Sequence, residues 1–271
     1  MTGSDSILYH EPPRPCSYLP DQTASLEYRF FRQVTPQRMS ELLRRGWRRM
    51  GAHFFRPRCP RCERCRSLRV DVEAFSASKS QRRAIKRNPD VQAILTRPSV
   101  SAEQNALYNA YHADMQRRRG WPDRETTPHE YAESFLEGDW EFSYEVQYRD
   151  GPSAGARPDH SSNSGQDVGS RRGKDGNGGT LLGIGLIDIV PDAISSIYFY
   201  HAPEWRDRGP GTFSILHELD LARQLKKRWL YLGYWIAECP SMAYKNSFTP
   251  YELLSRYVSD DETPVWEAVS K

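Results

Sequence analysis

Four cysteines in the N-terminal third of the chain have the spacing of a metal site. Cys59, Cys62 and Cys65 form two overlapping Cys-x-x-Cys pairs, and Cys16 lies upstream as the candidate fourth ligand. Two-residue spacing lets thiolates converge on one ion, and soft sulfur ligands suit zinc or an iron–sulfur cluster. The sequence therefore predicts one metal centre on these four cysteines. The alternative is that they are unligated thiols on a basic loop.

A glycine-containing stretch later in the chain has the composition of an anion-binding loop. Arg206 is followed by Gly209 and Gly211, between a predicted strand and a predicted helix. Glycines placed in this way let backbone N–H groups turn toward an anion at the start of a helix. Over residues 180–245 the pattern resembles the pyrophosphate-binding loop of the GCN5-related N-acetyltransferase fold. A simple tight turn is the alternative.

One carboxylate is isolated in a strongly apolar run. Asp188 is the single charged residue between positions 181 and 190. A carboxylate is costly to bury unless it has a partner or a role. We predict that Asp188 acts as a base or orients an amine, and a structural carboxylate satisfied at the end of a strand is the alternative.

The elements that must position these groups have clear local signals. Helix starts are predicted at Thr35-Pro36, Ser101 and Thr127-Pro128, because each has a capping side chain and the last two have Gln or Glu three residues on. Alternation and apolar runs predict strands over 181–190, 194–200 and 229–236, and a helix over 211–227.

Charge is distributed unevenly along the chain. Residues 1–97 contain 20 Lys or Arg and 9 Asp or Glu, a balance of +11, whereas residues 98–271 have a balance of −8. Most of the basic excess is arginine, which suits phosphate and carboxylate groups. A polyanionic partner and a solvated basic face are both compatible with this distribution.

Composition also predicts which regions fold and in which environment. Gly, Pro and Ser supply 15 of the 30 residues at 150–179, so we predict a disordered insertion in a surface loop there. The chain has no apolar run long enough for a membrane span and no signal-peptide pattern at its start. Five cysteines, an odd number, do not suggest a secreted disulfide framework. We predict a soluble, cytoplasmic protein without a membrane partner.

Taken in order, the motifs resemble those of one enzyme family. They are Cys-Ser-Tyr-Leu-Pro at 16–20, Gly-Trp-Arg-Arg-Met-Gly at 46–51, the cysteine run at 55–65, Ser-Gln-Arg-Arg at 80–83, Ser-Ile-Tyr-Phe-Tyr at 196–200, Tyr-Leu-Gly-Tyr-Trp-Ile at 231–236 and Met-Ala-Tyr-Lys at 242–245. Seven ordered motifs resemble the aminoacyl-tRNA–protein transferases, and within them the bacterial leucyltransferase branch. The chain departs from the family in its Arg-Gly-Pro-Gly loop at 208–211 and in the insertion at 150–179.

The resemblance implies a reaction and its partners. It implies transfer of leucine from leucyl-tRNA to the N-terminal amine of proteins that begin with Asp or Glu, which marks them for degradation. No nucleotide cofactor is implied. Three alternatives remain open: an arginyl donor with the same acceptors, a non-catalytic zinc protein that binds nucleic acid, and an ordinary acetyltransferase.

Candidate site residues follow from the resemblance and from residue chemistry. The predicted catalytic residues are Asp188, Tyr200 and Glu238. Donor tRNA is assigned to Arg206, Gly209, Gly211 and Lys245. The acceptor is assigned to Arg56, Arg69, Arg82 and Tyr198, because an acidic side chain needs a bidentate cation.

These observations together predict an α+β fold. Its main part is a mixed sheet with helices similar to the GCN5-related N-acetyltransferases, preceded by a segment with the cysteine cluster. The predicted domains are residues 1–97 and 98–271, the second interrupted at 150–179.

Overall fold

The computed structural model describes residues 6–151 and 179–269. The segment predicted to be a disordered insertion, 150–179, lies almost entirely outside the described residues. Within the described part of the chain, no helix is both long enough and apolar enough to cross a membrane.

The described residues contain fourteen strands and six α-helices. The strands are β1 (Ser6–His10), β2 (Arg14–Pro15), β3 (Thr23–Ala24), β4 (Leu26–Phe31), β5 (Arg48–Met50), β6 (His53–Pro57), β7 (Arg66–Asp71), β8 (Val91–Thr96), β9 (Ser143–Asp150), β10 (Leu181–Val190), β11 (Ala193–His201), β12 (Trp229–Trp235), β13 (Tyr251–Leu254) and β14 (Trp266–Val269). The α-helices are α1 (Pro36–Arg44), α2 (Lys79–Lys86), α3 (Ala102–Arg119), α4 (Pro128–Phe135), α5 (Pro210–Gln224) and α6 (Pro240–Ala243). Two 3₁₀-helices cover Pro203–Arg208 and Tyr244–Ser247.

The predicted elements form where their local signals place them. Thr35, Ser101 and Thr127 cap α1, α3 and α4, each accepting a hydrogen bond from the backbone N–H three residues on. Helix α5 buries Ile215, Leu219 and Ala222, as its apolar periodicity predicts. Strand β10 has the predicted bounds, β11 is one residue longer than predicted at each end, and β12 ends one residue earlier. Helix α5 begins one residue earlier than predicted and ends at Gln224.

An eight-stranded mixed sheet forms the centre of the molecule, in the order β14-β13-β7-β12-β11-β10-β9-β8. Neighbouring strands are antiparallel except β11 and β12, which are parallel because α5 connects them. A second sheet, in the order β1-β4-β6-β5, packs near its middle together with α1. The predicted α+β class with a mixed sheet is therefore confirmed.

Apolar clusters fill both faces of the large sheet. Helix α5 packs on one face, where Leu219 joins Ile187, Ile194 and Leu230 in the core. Helices α3 and α4 pack against β10 and β11 through a separate cluster that includes Tyr131. Strands β10 and β11 therefore lie between two packed layers.

The predicted domain boundary at residue 97 does not separate the two sheets. Strands β7 and β8, which precede that residue, both belong to the large sheet. β7 pairs with β12 and β13, so its register depends on residues far along the chain. The large sheet therefore takes strands from both predicted segments.

Candidate functional site

The site is built where β11 and β12 part. The two parallel strands pair only from Ala193 to Ser195 on β11 and from Trp229 to Tyr231 on β12, although β11 continues to His201. Each strand shifts register against its outer neighbour close to this point. In β12 the shift precedes Gly233, whose φ of +80° favours glycine. The result is a gap in the sheet, which we call the strand split.

Arg48 reaches into the strand split from β5. Its guanidinium donates to Ser195 Oγ at 2.8 Å and to the carbonyl of Ser196. The side chain is buried, and this burial lowers the pKa of Arg48 from its usual range. The sequence analysis includes Arg48 in the motif at 46–51 but predicts no role for it. Its position directly after Trp47 is the one feature of the sequence that could have indicated burial.

Two further titratable side chains, the acidic Glu218 and the basic Lys245, lie at the strand split on elements other than β5. Glu218 of α5 is 1% exposed; its Oε1 accepts from Ser196 Oγ at 3.3 Å, and its Oε2 has no hydrogen-bond partner among the described residues. Burial raises the pKa of Glu218 to about 8. Sequence reasoning missed this residue, whose signal was a carboxylate on the apolar face of α5.

Lys245 lies in the 3₁₀-helix after β12. Its Nζ donates to the carbonyl of Tyr234 at 2.7 Å. Burial, with a smaller contribution from the positive charge of Arg48, lowers the pKa of Lys245 to about 7. The strand split thus contains a lysine that is partly neutral at physiological pH, beside a fixed positive charge.

The glycine loop opens α5, the helix that carries Glu218. Gly209 caps the helix with φ +74°, and a side chain added at Gly211 would meet no atom of the described residues within 4 Å. Open space at Gly211 leaves its backbone approachable. The loop arginines point elsewhere: Arg206 pairs with Asp114 of α3, and Arg208 pairs with Asp90.

Helix α2 brings further arginines to the same loop. The guanidinium of Arg87, which follows α2, lies 3.1 Å from the position that a Cβ atom would occupy at Gly209. Asn88 donates to the carbonyl of Arg208 at 3.0 Å. Arg82, Arg83 and Lys86 are exposed on this helix. Arg82, predicted to bind the acceptor, is one of these exposed side chains and donates to the carbonyl of Ala77.

Asp188 and Tyr200 lie away from any open surface. Asp188 is fully buried and accepts from Arg49 Nε at 3.0 Å; burial raises the pKa of Asp188 and the Arg49 guanidinium opposes this. Tyr200 is fully buried too, with its hydroxyl 2.7 Å from that of Tyr131. Both side chains are inaccessible in this structure and already have partners, which favours the structural alternative for Asp188. The catalytic roles of Asp188 and Tyr200 stay predictions.

The acceptor residues proposed from sequence are dispersed. Arg56 is buried, where it forms an ion pair with Glu27 and lies over the ring of Trp47. Arg69 forms an ion pair with Glu252, and its guanidinium lies over the rings of Trp229 and Trp266. Their guanidinium groups already have partners, and their assignment to the acceptor stays a prediction. Tyr198 lies nearer the strand split, with its hydroxyl 3.0 Å from His112 Nε2.

The cysteines lie together on one side of the molecule without forming a closed metal site. Burial, and to a smaller extent the neighbouring thiols of Cys59, Cys16 and Cys62, raises the pKa of Cys65 to about 12, so these thiols are within electrostatic range of one another. Across residues 6–151 and 179–269, no three Cys, His, Asp or Glu side chains are arranged to hold an ion. Glu238, exposed after β12, pairs with Arg64 of the cysteine run.

A mixed sheet that parts between two parallel strands, with a glycine loop opening the helix that joins them, agrees with the fold expected from the resemblance to the GCN5-related N-acetyltransferases. Two family models match the chain: arginine-tRNA-protein transferase, N terminus, over residues 14–83, and arginine-tRNA-protein transferase, C terminus, over residues 103–255. The chain belongs to the arginine-tRNA-protein transferase family.

Curated relatives resemble the chain over most of its length. The aspartate/glutamate leucyltransferase of Helicobacter hepaticus is 30% identical over 261 residues, covering 96% of this chain and 97% of that protein. That of Halorhodospira halophila is 33% identical over 256 residues, covering 93% and 96%. Among solved structures, L-PGS from Bacillus licheniformis superposes with a TM-score of 0.43 at 10% identity, covering 88% of this chain and 65% of that one. A GCN5-related glucosamine N-acetyltransferase region of a fungal GH3 enzyme gives 0.40 at 12% identity, covering 80% and 21%.

Proposed function

We propose that this protein transfers leucine from leucyl-tRNA to the α-amine of proteins that begin with Asp or Glu, marking them for degradation in the cytoplasm. The observation that carries the proposal is its 30–33% identity with aspartate/glutamate leucyltransferases over more than nine-tenths of the chain. The strand split, with ionisable groups on three elements around it, supplies a site in which such a transfer can occur.

The reaction is the aminolysis of an activated ester. The α-amine attacks the leucyl carbonyl, the ester C–O bond breaks, and the tRNA hydroxyl leaves. An N-terminal amine has a pKa of about 8, so a minority is already neutral at pH 7. Holding amine and ester together supplies much of the rate, and one group that takes the amine proton supplies more.

We assign that proton acceptor to Lys245. With a pKa of about 7, its Nζ is partly unprotonated near neutral pH, and it can donate to Tyr234 while its lone pair accepts a proton. The fixed charge of Arg48 favours the neutral amine. Glu218, whose pKa of about 8 leaves it mostly uncharged at pH 7, adds little negative charge that would oppose this.

The donor tRNA is assigned to the glycine loop and the basic surface of α2. Gly211 offers a backbone N–H at the start of α5, whereas the N–H of Gly209 already donates to the carbonyl of Arg206. Arg82, Arg83 and Arg87 add exposed positive charge on and just after α2. Arg206 supports the loop by its ion pair with Asp114. Binding of a polyanion through such contacts should weaken steeply as salt rises.

The alternatives account for less of the molecule. An arginyl donor would use the same site, but the relatives named above are leucyltransferases. A non-catalytic zinc protein that binds nucleic acid would leave the buried Glu218 and Lys245 without a purpose.

Release of leucine from charged tRNA tests the proposed function. We expect the purified protein to transfer labelled leucine to a peptide that begins with Asp or Glu, and not to the same peptide with an acetylated N-terminus, because the α-amine is the nucleophile. Arginyl-tRNA serves as the matched donor control. Transfer of arginine in preference to leucine, or no transfer from either tRNA, would contradict the proposal.

We also propose that Cys16, Cys59, Cys62 and Cys65 hold zinc or an iron–sulfur cluster. Their thiols are soft ligands and lie near one another, although no closed site is formed among the described residues. Such a centre would fix the segment around Cys16 to the loop at 59–65. We assign it no step in the reaction.

Metal content tests this second proposal. Protein purified without oxygen is expected to contain near-stoichiometric zinc or iron, and Cys62→Ser is expected to lose most of it, since a thiolate ligand is removed. Cys239→Ser, which changes the buried fifth cysteine, is the matched control and should retain the metal. A metal-free preparation that is folded and fully active would refute the assignment.

A further inference from the structure

The outer face of the N-terminal sheet is aromatic. Side chains alternate between faces along a strand, and the ring contacts place Tyr9, Tyr28 and Phe55 on one face, with Tyr28 centred 6.4 Å from Tyr9 and 6.1 Å from Phe55. Phe30 contacts His53 edge-on at 5.5 Å on the same side. The opposite face is packed in the core. This outer face is partly exposed, with Tyr9 half exposed.

A groove of about 600 Å³ lies between this aromatic face and the end of α4. Its floor includes Tyr28, Met50 and Phe55 from the sheet, and its far wall includes Glu133 and Glu137. Both carboxylates are exposed. Glu133 has a weak contact with His129 at 3.5 Å, and the side chain of Glu137 has no ion-pair partner within the described ranges 6–151 and 179–269. The groove therefore combines an aromatic floor with negative charge.

Strand β5 contributes to both the groove and the strand split, because Met50 lines the groove and Arg48 donates to Ser195. Arg48 and Met50 are two positions apart on β5, so they lie on the same face, and their partners on β6 are Phe55 and His53. Two strand residues span about 7 Å. Met50, on the floor of the groove, therefore lies about 7 Å along β5 from Arg48, whose guanidinium donates to the carbonyl of Ser196.

We propose that this groove binds the part of the acceptor polypeptide that follows its acidic first residue, and that it favours Lys or Arg there. The inference rests on the proposed function. A cationic side chain over Tyr28 or Phe55 gains from the ring faces, and Glu137 adds an opposite charge. Carboxylates at this end would repel the phosphates of tRNA, which is why the acceptor, and not the donor, is the occupant that fits.

Peptide competition in the transfer assay tests the groove. Two peptides begin with Asp and differ only at positions two to four, which are Lys in one and Glu in the other. The wild-type protein is expected to have a kcat/KM about tenfold higher for the Lys peptide, a size set by one cation–π contact and one exposed ion pair. Glu137→Lys is expected to remove most of this preference and to leave the KM for leucyl-tRNA unchanged.

Asp261→Lys is the matched control, because it makes the same change of charge at an exposed position on another surface. It should preserve the preference. An active wild-type protein that uses both peptides equally would overturn the groove assignment while leaving the proposed function intact. A Glu137→Lys protein with an altered KM for leucyl-tRNA and an unchanged peptide preference would overturn it in favour of tRNA. Transfer to neither peptide by the wild-type protein would refute the proposed function itself.

Discussion

Lys245→Arg is expected to lower kcat/KM for leucine transfer by about 100-fold or more, and Lys245→Met is expected to do the same. A positioned general base contributes about 10²–10⁴-fold to a rate. Methionine cannot accept the amine proton, and arginine keeps the positive charge but stays protonated at all accessible pH values. If the lysine served only as a buried positive charge on Tyr234, arginine would restore much of the activity.

The pH dependence of single-turnover transfer separates these roles. Because the pKa of Lys245 is lowered to about 7, its neutral fraction grows as pH rises through 7. The acceptor amine loses its own proton near pH 8 in the same direction. The wild-type rate should therefore rise in two steps with increasing pH, whereas the Lys245→Met rate should keep only the step of the acceptor. Lys227→Met, at a half-buried lysine whose Nζ donates to the carbonyl of Pro191, is the control and should leave the profile unchanged. If the Lys245→Met protein had the same pH profile as the wild-type protein, Lys245 would not be the proton acceptor.

Asp188→Ala is expected to lower the free energy of unfolding by about 3–5 kcal/mol, because it leaves the buried Arg49 guanidinium without its counter-charge. Both side chains are almost completely inaccessible, and Arg49 also donates to Gly51 and contacts Ser143. Replacing both partners, as in Arg49→Met with Asp188→Leu, should recover much of the loss, since no charge is then buried alone.

Urea unfolding monitored by fluorescence measures this difference. Glu41→Ala is the matched control, because it removes an exposed ion pair with Arg38 and should cost only about 0–1 kcal/mol. An Asp188→Asn protein with wild-type stability but little transfer activity would support the catalytic role that the sequence suggested. Loss of stability with activity retained below the unfolding transition would establish the structural role.

The sequence determined the elements around the site because their signals are local. Thr35, Ser101 and Thr127 cap helices through bonds three residues away. The apolar residues of α5, spaced three and four apart, bury as one face. The ordered motifs also indicate the family from the sequence alone, since they consist of residue types at fixed spacing.

Only the tertiary structure decided which charged groups are free to act. Asp188 and Arg49 are 139 positions apart, and Arg206 and Asp114 are 92 apart, so no local pattern could reveal these pairs. The same packing leaves one oxygen of Glu218 without a partner in the part of the chain that the structure describes, and it holds Lys245 beside Arg48 at the strand split. Whether a buried charge is structural or reactive depends on the partners that folding brings to it, and strands distant in sequence supply those partners.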